Sequence, residues 1–418
     1  MPAPGIGPVP PTERIEVIDV LRGWAVLGIL VVNMEVFSGP GDPLREELWA
    51  GTAERAAKQL ILFLADSKFW TLFSFLFGLG FALQMGRAEA RGAPFLPLYL
   101  RRLSVLLVIG FLHAFLLWQG DVLHLYAVLG CLLLLFRTCS TRTILLSAFL
   151  CLWIPAVHAA IVAAPRELRR ADPQLAPQVA REDTQQEQER RARQVENLRV
   201  YSQGNYAEMT TKRARFWTRR YSSLDHYLGR FGEEFVLFLL GLYAGRRRLF
   251  ENIQEHLPLV RKVLRWGLAL GLVFTGASVL AAEFAPPGVL VNILGDMLWR
   301  VGAPALSFFY AAAILLLFQR TAWQRHLAPL AAVGRTALSN YLLQSVICTT
   351  IFYSYGFGLY GRIGQPAGVA LTFLIFAVQI PLSAWWLRHF RFGPVEWLWR
   401  TLTYGKLQPM RLEPIAAA

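Results

Sequence analysis

The chain alternates between long apolar runs and short polar segments, and many of the apolar runs are long enough to cross a membrane. A helix needs about 20 apolar residues to span the hydrocarbon core, and its backbone groups must be hydrogen bonded within the segment. The pattern therefore predicts ten transmembrane helices. They cover residues 15–37, 68–86, 99–118, 121–137, 143–164, 232–246, 264–283, 294–319, 334–355 and 367–388. Two further stretches, 53–65 and 390–405, mix apolar residues with charged residues or Trp, which is typical of helices at the membrane surface.

Composition also supports a membrane protein and disfavours a soluble one. Of the 418 residues, 55% are hydrophobic and 17% are charged, whereas a soluble protein has about 25% charged residues. The net charge of +14 raises the question of nucleic-acid binding. However, the basic residues fall in short clusters at the ends of apolar runs, where Lys and Arg orient helices in a membrane. We therefore expect a lipid bilayer as the environment and no nucleic-acid partner.

The distribution of Lys and Arg also predicts a domain organisation. The loops 119–121 and 283–296 contain no Lys or Arg, and the alternate loops are rich in them, which places both termini in the cytoplasm. Residues 165–231 are polar and are expected to form a helical insert outside the cell, either as a solvated linker or as a lid over an outward-facing cavity. The predicted units are an N-terminal transmembrane unit (1–164), this insert, a C-terminal transmembrane unit (232–388), and a cytoplasmic interfacial helix with a tail (389–418).

Three short markers recur in the same order in the two transmembrane units. FLFGLGFALQMGR (75–87) resembles FLLGLYAGRR (238–247), Gly120-Asp121 resembles Gly295-Asp296, and Thr141-Arg142 resembles Gly334-Arg335. The paired elements are predicted to run in the same direction. We therefore expect an all-α polytopic protein built from two parallel four-helix units, with the first and last spans added.

Ionisable residues at membrane depth are costly and are candidates for function. In span one, Asp19 and Arg22 are i,i+3 neighbours that can pair. Asn33 lies three turns further along the same face. Arg22 is either a binding residue or an Arg that extends to the headgroups.

A second cluster lies where spans three and four meet. His113 comes just before the tight turn 119–120, and Asp121, His124 and Tyr126 follow it. The hairpin should bring these side chains together at the edge of a polar cavity. A carboxylate beside a His is the arrangement that a general base needs. Two His and one Asp are also metal ligands, but the spacing matches no metal-binding signature, and we expect no metal site.

The C-terminal unit offers further candidates at membrane depth. Span nine carries polar residues on one stripe, explained either by hydrogen bonds between helices or by a cavity lining. The candidate binding residues of this unit are Glu233, Asp296, Arg300, Asn340 and Gln344, and Glu234, Tyr341 and Ser345 accompany them.

Several segments resemble the YeiB-like family, bacterial inner-membrane proteins with a conserved C-terminal region of unknown function. They are RIEVIDVLRGWAVLGILVVN (14–33), HAFLLWQGDVLHLYAVLG (113–130), GRTALSNYLLQS (334–345), FYSYGFGLYGR (352–362) and FRFGPVEWLWRTLTYGKLQPMR (390–411). The resemblance implies a location in the bacterial inner membrane. The family is similar in outline to the transmembrane acyltransferase superfamily, whose enzymes take an acyl group from acyl-CoA or another cytosolic donor and modify an acceptor on the far side.

The likeness to that superfamily centres on the pattern D-x-x-R-G, formed here by Asp19, Arg22 and Gly23. The acyltransferase-3 enzymes have a His eleven residues after the Arg, where this chain has Asn33. The glucosaminide acetyltransferases have an active His in the following outer loop, but residues 38–67 contain no His. The resemblance therefore implies an acyltransferase with a different base, for which His113 with Asp121 is the candidate, and Arg22 would bind the donor's phosphates.

This interpretation implies no permanently bound cofactor, a transient acyl donor, and a small-molecule, glycan or lipid acceptor. Two alternatives stay open. A two-unit bundle with polar residues near the midplane also fits a small-solute transporter or exporter, in which His113, Asp121 and Asp296 would bind protons or substrate. The second alternative is a non-catalytic membrane component. The sequence does not define the oligomeric state.

Overall fold

The computed structural model describes residues 13–221, 224–284 and 289–412, and the regular elements in these ranges are helices. The last residues of the predicted tail (413–418) and the loop residues 285–288 lie outside them. The helices are α1 (Glu16–Ser38), α2 (Leu44–Leu48), α3 (Thr52–Leu64), α4 (Lys68–Ala90), α5 (Phe95–Leu112), α6 (Leu123–Leu133), α7 (Thr141–Ala171), α8 (Ala176–Gln203), α9 (Tyr206–Tyr221), α10 (Leu224–Arg246), α11 (Ile253–Phe284), α12 (Val289–Phe318), α13 (Thr321–Arg335), α14 (Ala337–Phe352), α15 (Gln365–His389) and α16 (Pro394–Tyr404).

The structure confirms an all-α polytopic membrane protein. Within the described ranges, seven helical stretches are long and apolar enough to cross a bilayer, and residues 123–136 and 337–352 form shorter apolar helices. Each of the ten predicted spans coincides with a helix. The sixth, predicted to be short at 232–246, is the 23-residue helix α10. The count of ten spans stays a prediction.

The largest departure from the predicted pattern is α13, because the sequence placed its residues in a basic loop and a longer ninth span. Residues 321–335 instead form a separate helix that packs along α1, and α14 begins only at Ala337. The two helices cross at glycines. A Cβ atom on Gly23 would collide with the Leu330 carbonyl oxygen, and one on Gly334 would collide with that of Asp19. The Gly of the D-x-x-R-G pattern therefore brings α13 onto α1.

Helix α1 lies at the centre of the bundle. It contacts α4, α12, α13, α14 and α15, and its Val20, Leu21, Ala25 and Leu30 are fully buried. An α-helix surrounded by partners in this way is apolar on most sides, which explains the near-continuous apolar run after Arg22.

The insert forms a helical arm that folds back over one end of the bundle. Helix α8 pairs with the end of α7 through ion pairs that include Arg169–Glu182 and Arg170–Asp183, each at 2.6 Å. It then reaches the loop after α1, where Gln194 Oε1 accepts a hydrogen bond from the backbone N–H of Gly41 at 3.0 Å. Helix α9 returns and packs against the end of α5.

The predicted repeat pairs α4 with α10, and these helices contact each other directly. Gly241 lies near Leu79 and Gly245 near Ala82, so the two helices run in the same direction. Parallel orientation is what the repeat requires of this pair. The repeat as a whole stays a prediction.

Candidate functional site

The end of α5 is built to bring two histidines and an aspartate together. The helix finishes in one π-helical turn, His113–Leu117, a widened turn that is common at functional sites. The chain then folds back through residues 118–122 into α6. A Cβ atom on Gly110 would collide with the backbone of His124 and with the Asp121 carboxylate. The glycine therefore permits the close approach of α6 to α5 that the hairpin pattern predicted.

Asp121 accepts hydrogen bonds from both histidines. Its Oδ2 lies 2.8 Å from His113 Nδ1, and its Oδ1 lies 2.7 Å from His124 Nδ1 and 3.0 Å from the His124 backbone N–H. Three donors at two oxygens are the environment of an ionised carboxylate. We therefore assign the Nδ1 proton to each imidazole when it is neutral, which leaves each Nε2 as an acceptor.

A hydroxyl group lies within hydrogen-bonding distance of each Nε2. His113 Nε2 lies 2.9 Å from Ser345 Oγ on α14, and His124 Nε2 contacts the Tyr221 hydroxyl at the end of α9. A continuous hydrogen-bonded chain thus runs from Ser345 through His113, Asp121 and His124 to Tyr221. We call these five residues the histidine cluster.

The insert covers this cluster. Ser345 is 1% exposed and His113 2%. The Trp217 ring of α9 packs edge-on against His124 with centroids 4.4 Å apart. Arg213, which is fully buried, donates to the Leu117 carbonyl oxygen at 2.5 Å and so caps the π-helical turn. The insert residues therefore hold the end of α5 in place as well as excluding water from it.

A cavity opens at the opposite, arginine-rich end of the bundle. It encloses about 280 Å³. Its inner end is lined by Val26, Ile29, Phe73, Tyr126 and Tyr341. Tyr126, predicted to join the histidines, instead bonds to Ser74 Oγ at 2.8 Å and faces this cavity.

The mouth of the cavity carries more positive than negative charge. Asp19 pairs with Arg22 at 2.7 Å, as predicted, and also lies 3.7 Å from Arg14. The second carboxylate at the mouth, Glu396, binds the start of α14. The arginines that line the cavity, which we call the arginine cavity, are Arg14, Arg22, Arg87, Arg102, Arg335 and Arg400.

Three of these arginines have no carboxylate partner among the described residues. Arg102 lies over the Trp399 ring at 3.9 Å and Arg400 over Phe392 at 4.8 Å, while Arg335 is exposed. Burial lowers the pKa of the Arg400 guanidinium. Unpaired guanidinium groups of this kind favour a bound anion.

Helix α14 connects the two regions. Its first backbone N–H groups, those of Leu338 and Ser339, donate to Glu396 at 2.7 and 3.1 Å. One turn on, Tyr341 lines the arginine cavity, and its ring lies 5.0 Å from that of His113. Ser345 follows one further turn along, about 6 Å up the axis. The inner end of the cavity is therefore one side chain away from the histidine cluster.

The remaining predicted residues lie elsewhere. Asn33 is half-buried, and neither it nor the histidines and Asp121 are part of the cavity lining. Arg300 pairs with Glu233, while Asp296, the predicted counterpart of Asp121, is exposed.

Two candidates on α14 tie that helix to α15. Asn340 Nδ2 donates to Ser383 Oγ, and Gln344 Nε2 donates to Gln379 Oε1, each at 2.9 Å. Hydrogen bonding between helices therefore accounts for both residues.

Sequence comparison places these features in a family. Residues 244–406 match the family described as "Protein of unknown function (DUF418)". The chain is 37% identical over 414 residues to "Uncharacterized protein YxaH" of Bacillus subtilis, covering 95% of this chain and 96% of that protein. It is 28% identical to "Uncharacterized protein YeiB" of Escherichia coli, covering 95% and 98%. The chain therefore belongs to the YeiB-like family.

Proposed function

We propose that the protein transfers an acyl group from an anionic donor such as acyl-CoA, bound in the arginine cavity, to an acceptor that reaches the histidine cluster. The observation that carries this proposal is the cavity itself. Its mouth is cationic, its inner end is apolar, and that end finishes at Tyr341, whose ring contacts His113.

The mouth suits the phosphate groups of the donor. Six arginines face two carboxylates there, and those carboxylates are already engaged, Asp19 by Arg22 and Arg14 and Glu396 by the start of α14. Guanidinium groups bind phosphate through paired, charge-assisted hydrogen bonds. Two residues of the D-x-x-R-G pattern then have separate roles. Arg22 lies at the donor site, and Gly23 allows α13 to pack close enough to bring Arg335 to the mouth of the arginine cavity.

The size of the cavity limits how much of the donor enters. Sites for drug-sized ligands occupy about 300–1,000 Å³, so 280 Å³ accommodates the acyl group and its flexible arm. The nucleotide portion would stay at the mouth. This arrangement points the reactive thioester toward Tyr126 and Tyr341.

His113 is suited to accept a proton at that point. Asp121 accepts the hydrogen bond from the His113 Nδ1–H. The unprotonated Nε2 therefore faces the Ser345 hydroxyl, as a general base requires. The acyl-transfer step needs such a base to remove the proton of the attacking group.

We propose a location in the inner membrane, with the arginine-rich end in the cytoplasm and the insert outside. The excess of Lys and Arg in the loops at that end supports this orientation. An impermeant thiol label on a single Cys in α8 of otherwise Cys-free protein should react in intact cells. A label site placed after Ala418 should react only after lysis. Reaction of both sites in intact cells would mean an odd number of spans.

The acyl-transfer proposal is tested with the full chain in lipid nanodiscs and acetyl-CoA. We expect saturable binding of acetyl-CoA and release of free thiol. The His113→Gln variant should bind acetyl-CoA normally but release thiol at least 100-fold more slowly, whereas His326→Gln, on the exposed face of α13, should behave as the wild type. Absence of both binding and thiol release in the wild type would overturn acyl transfer from CoA.

The transporter alternative is favoured by one observation. Along α14, the cavity is followed by titratable groups and then by a covering insert, an order that would also suit alternating access. Acetyl-CoA binding without thiol release, together with uptake of acetyl-CoA into proteoliposomes, would favour this alternative.

A further inference from the structure

We infer that Ser345 is a covalent nucleophile that carries the acyl group between donor and acceptor. This inference rests on the proposed acyl transfer and adds an intermediate to it. No local motif around Ser345 marks it as a nucleophile, and the pairing with His113 joins residues 232 positions apart.

The geometry is that of an activated serine. Ser345 Oγ lies 2.9 Å from His113 Nε2, and His113 Nδ1 lies 2.8 Å from Asp121 Oδ2. A nucleophile, a base and a carboxylate that orients the base, each within hydrogen-bonding distance of the next, define the arrangement that activates serine on unrelated folds. Here the three residues come from α14, the end of α5 and the loop before α6.

Burial supports a chemical role over a purely structural one. The Ser345 hydroxyl could instead donate a weaker hydrogen bond to the Tyr341 carbonyl oxygen, which is 3.4 Å away. Many buried helix serines are satisfied by such a bond to their own helix. His113 would then have an unpaired Nε2 in a site that is 2% exposed. The Ser345–His113 hydrogen bond, at 2.9 Å, couples the two groups and directs the hydroxyl proton at the base.

The reaction balances in two steps. Ser345 Oγ attacks the thioester carbonyl, the C–O bond forms and the C–S bond breaks, and the serine proton passes to His113 Nε2 and then to the departing thiolate. In the second step an acceptor hydroxyl or amine, or water, attacks the acyl-serine. His113 takes the acceptor's proton and returns it to Ser345 Oγ as the C–O bond breaks.

A buried donor lies beside this site. Trp118 is 2% exposed, its Nε1–H has no hydrogen-bond partner among the described residues, and its ring centroid is 6.3 Å from that of His113. Unpaired buried donors are rare and need an explanation. The negative charge that develops on the carbonyl oxygen during both steps needs such a donor, and we assign Trp118 to it. The Trp118 ring stacks on Phe37 with centroids 4.2 Å apart. The Trp118→Phe variant should keep this packing and slow acylation by about 10²-fold.

The test follows the first turnover of the nanodisc-embedded full chain with acetyl-CoA. Wild type should release a rapid burst of about one thiol per protein, and digestion should give a Ser345-containing peptide heavier by one acetyl group. Ser345→Ala should lose both signals and still bind acetyl-CoA. The matched control is Ser278→Ala, another buried helix serine with a single backbone bond, to the Gly295 carbonyl oxygen at 2.9 Å, which should keep the burst.

The conservative variant Ser345→Cys separates a covalent role from a structural one. It should form an acetyl adduct that neutral hydroxylamine removes, because thioesters are cleaved under conditions that leave the wild-type ester intact. Wild-type rates of thiol release in Ser345→Ala, or an acetyl group found on His113, would overturn the inference and leave acyl transfer standing. A wild type that neither binds acetyl-CoA nor releases thiol would overturn the acyl-transfer proposal, and the inference would fall with it.

Discussion

The two ends of the bundle differ in whether their charged groups have partners. At the arginine cavity, the guanidinium groups of Arg102, Arg335 and Arg400 have no carboxylate partner among the described residues. At the other end, both oxygens of Asp121 and both nitrogens of His113 are hydrogen bonded. Buried polar networks are rigid when every member is paired, and unpaired cations attract anions.

This difference indicates that the two ends, which α14 connects, have different roles. The open, cationic end can accept ligands of varied shape, because long Arg side chains adapt to them. The closed end holds its groups in a fixed geometry, as a catalytic arrangement requires. If these roles are correct, substitutions at the histidine cluster should change the reaction rate, and substitutions at the arginine cavity should change the donor affinity.

The largest effect should come from Asp121→Asn. The two histidines bond to different oxygens of Asp121, and in Asn an NH2 group replaces one of these oxygens, so one Nδ1 proton loses its acceptor. The tautomer of His113 should change, and the burst rate should fall by about 10³–10⁴-fold with acetyl-CoA affinity unchanged. The matched control is Asp296→Asn, at the exposed position that the predicted repeat pairs with Asp121. An equal loss of affinity in Asp121→Asn would refute the separation of the two ends.

The next effect concerns how the insert is held over the closed end. Arg213→Met keeps the apolar stem but removes the donors to the Leu117 carbonyl oxygen and to Thr210 Oγ1. Loss of a charge-assisted hydrogen bond to a buried carbonyl costs about 2 kcal/mol, which corresponds to roughly 30-fold faster opening. Hydrogen exchange of α9 in nanodiscs should report this change. Arg215→Met, on the exposed side of α9, is the control, and equal exchange in both variants would mean that the Leu117 bond does not hold the insert.

At the open end, Arg400→Gln should weaken acetyl-CoA binding by about tenfold, the value of one charge-assisted contact to phosphate. The burst rate at saturating donor should stay at the wild-type value. Raising the salt concentration should reduce the difference between the variant and the wild type, because screening acts on partly exposed charges. The control is Arg325→Gln, an exposed Arg of α13 outside the cavity lining. A slower burst with unchanged affinity would place Arg400 in the catalytic arrangement instead.

The sequence predicts the spans and one half of the closed end for the same reason: both depend on local patterns. Apolar runs of about 20 residues determine where helices cross the membrane, and the tight turn before Asp121 brings His113 and His124 together within a dozen residues. Ser345 and Tyr221 reach the same cluster from 232 and 97 positions away. Only the packing of α14 and α9 determines those contacts, and a single sequence does not contain it.

Apart from Asp19 and Arg22, the sequence does not predict the open end, because Arg residues have two uses in a membrane protein. Arg102, Arg335 and Arg400 follow the loop-charge pattern that orients helices, and nothing in their spacing distinguishes a ligand site from topology. The sequence likewise predicts a basic loop up to residue 333 and a ninth span from Gly334, although residues 321–335 form α13. The pattern around Pro329 is compatible with either structure, and the glycine crossing with α1 favours the helix.

The smallest effect should come from Glu396→Gln, at the junction between the two ends. Glu396 accepts hydrogen bonds from the backbone N–H groups of Leu338 and Ser339, where the helix dipole favours a negative charge. Gln keeps one acceptor oxygen and loses the charge, a cost of about 0.5–1 kcal/mol at the start of α14. Because α14 positions Tyr341 and Ser345, the burst rate should fall two- to fivefold. Acetyl-CoA affinity should stay constant or rise slightly, since one negative charge leaves the cationic mouth. This change in affinity is opposite in sign to that of Arg400→Gln, so weaker binding in Glu396→Gln would show that Glu396 contacts the donor rather than supporting the helix that carries the nucleophile.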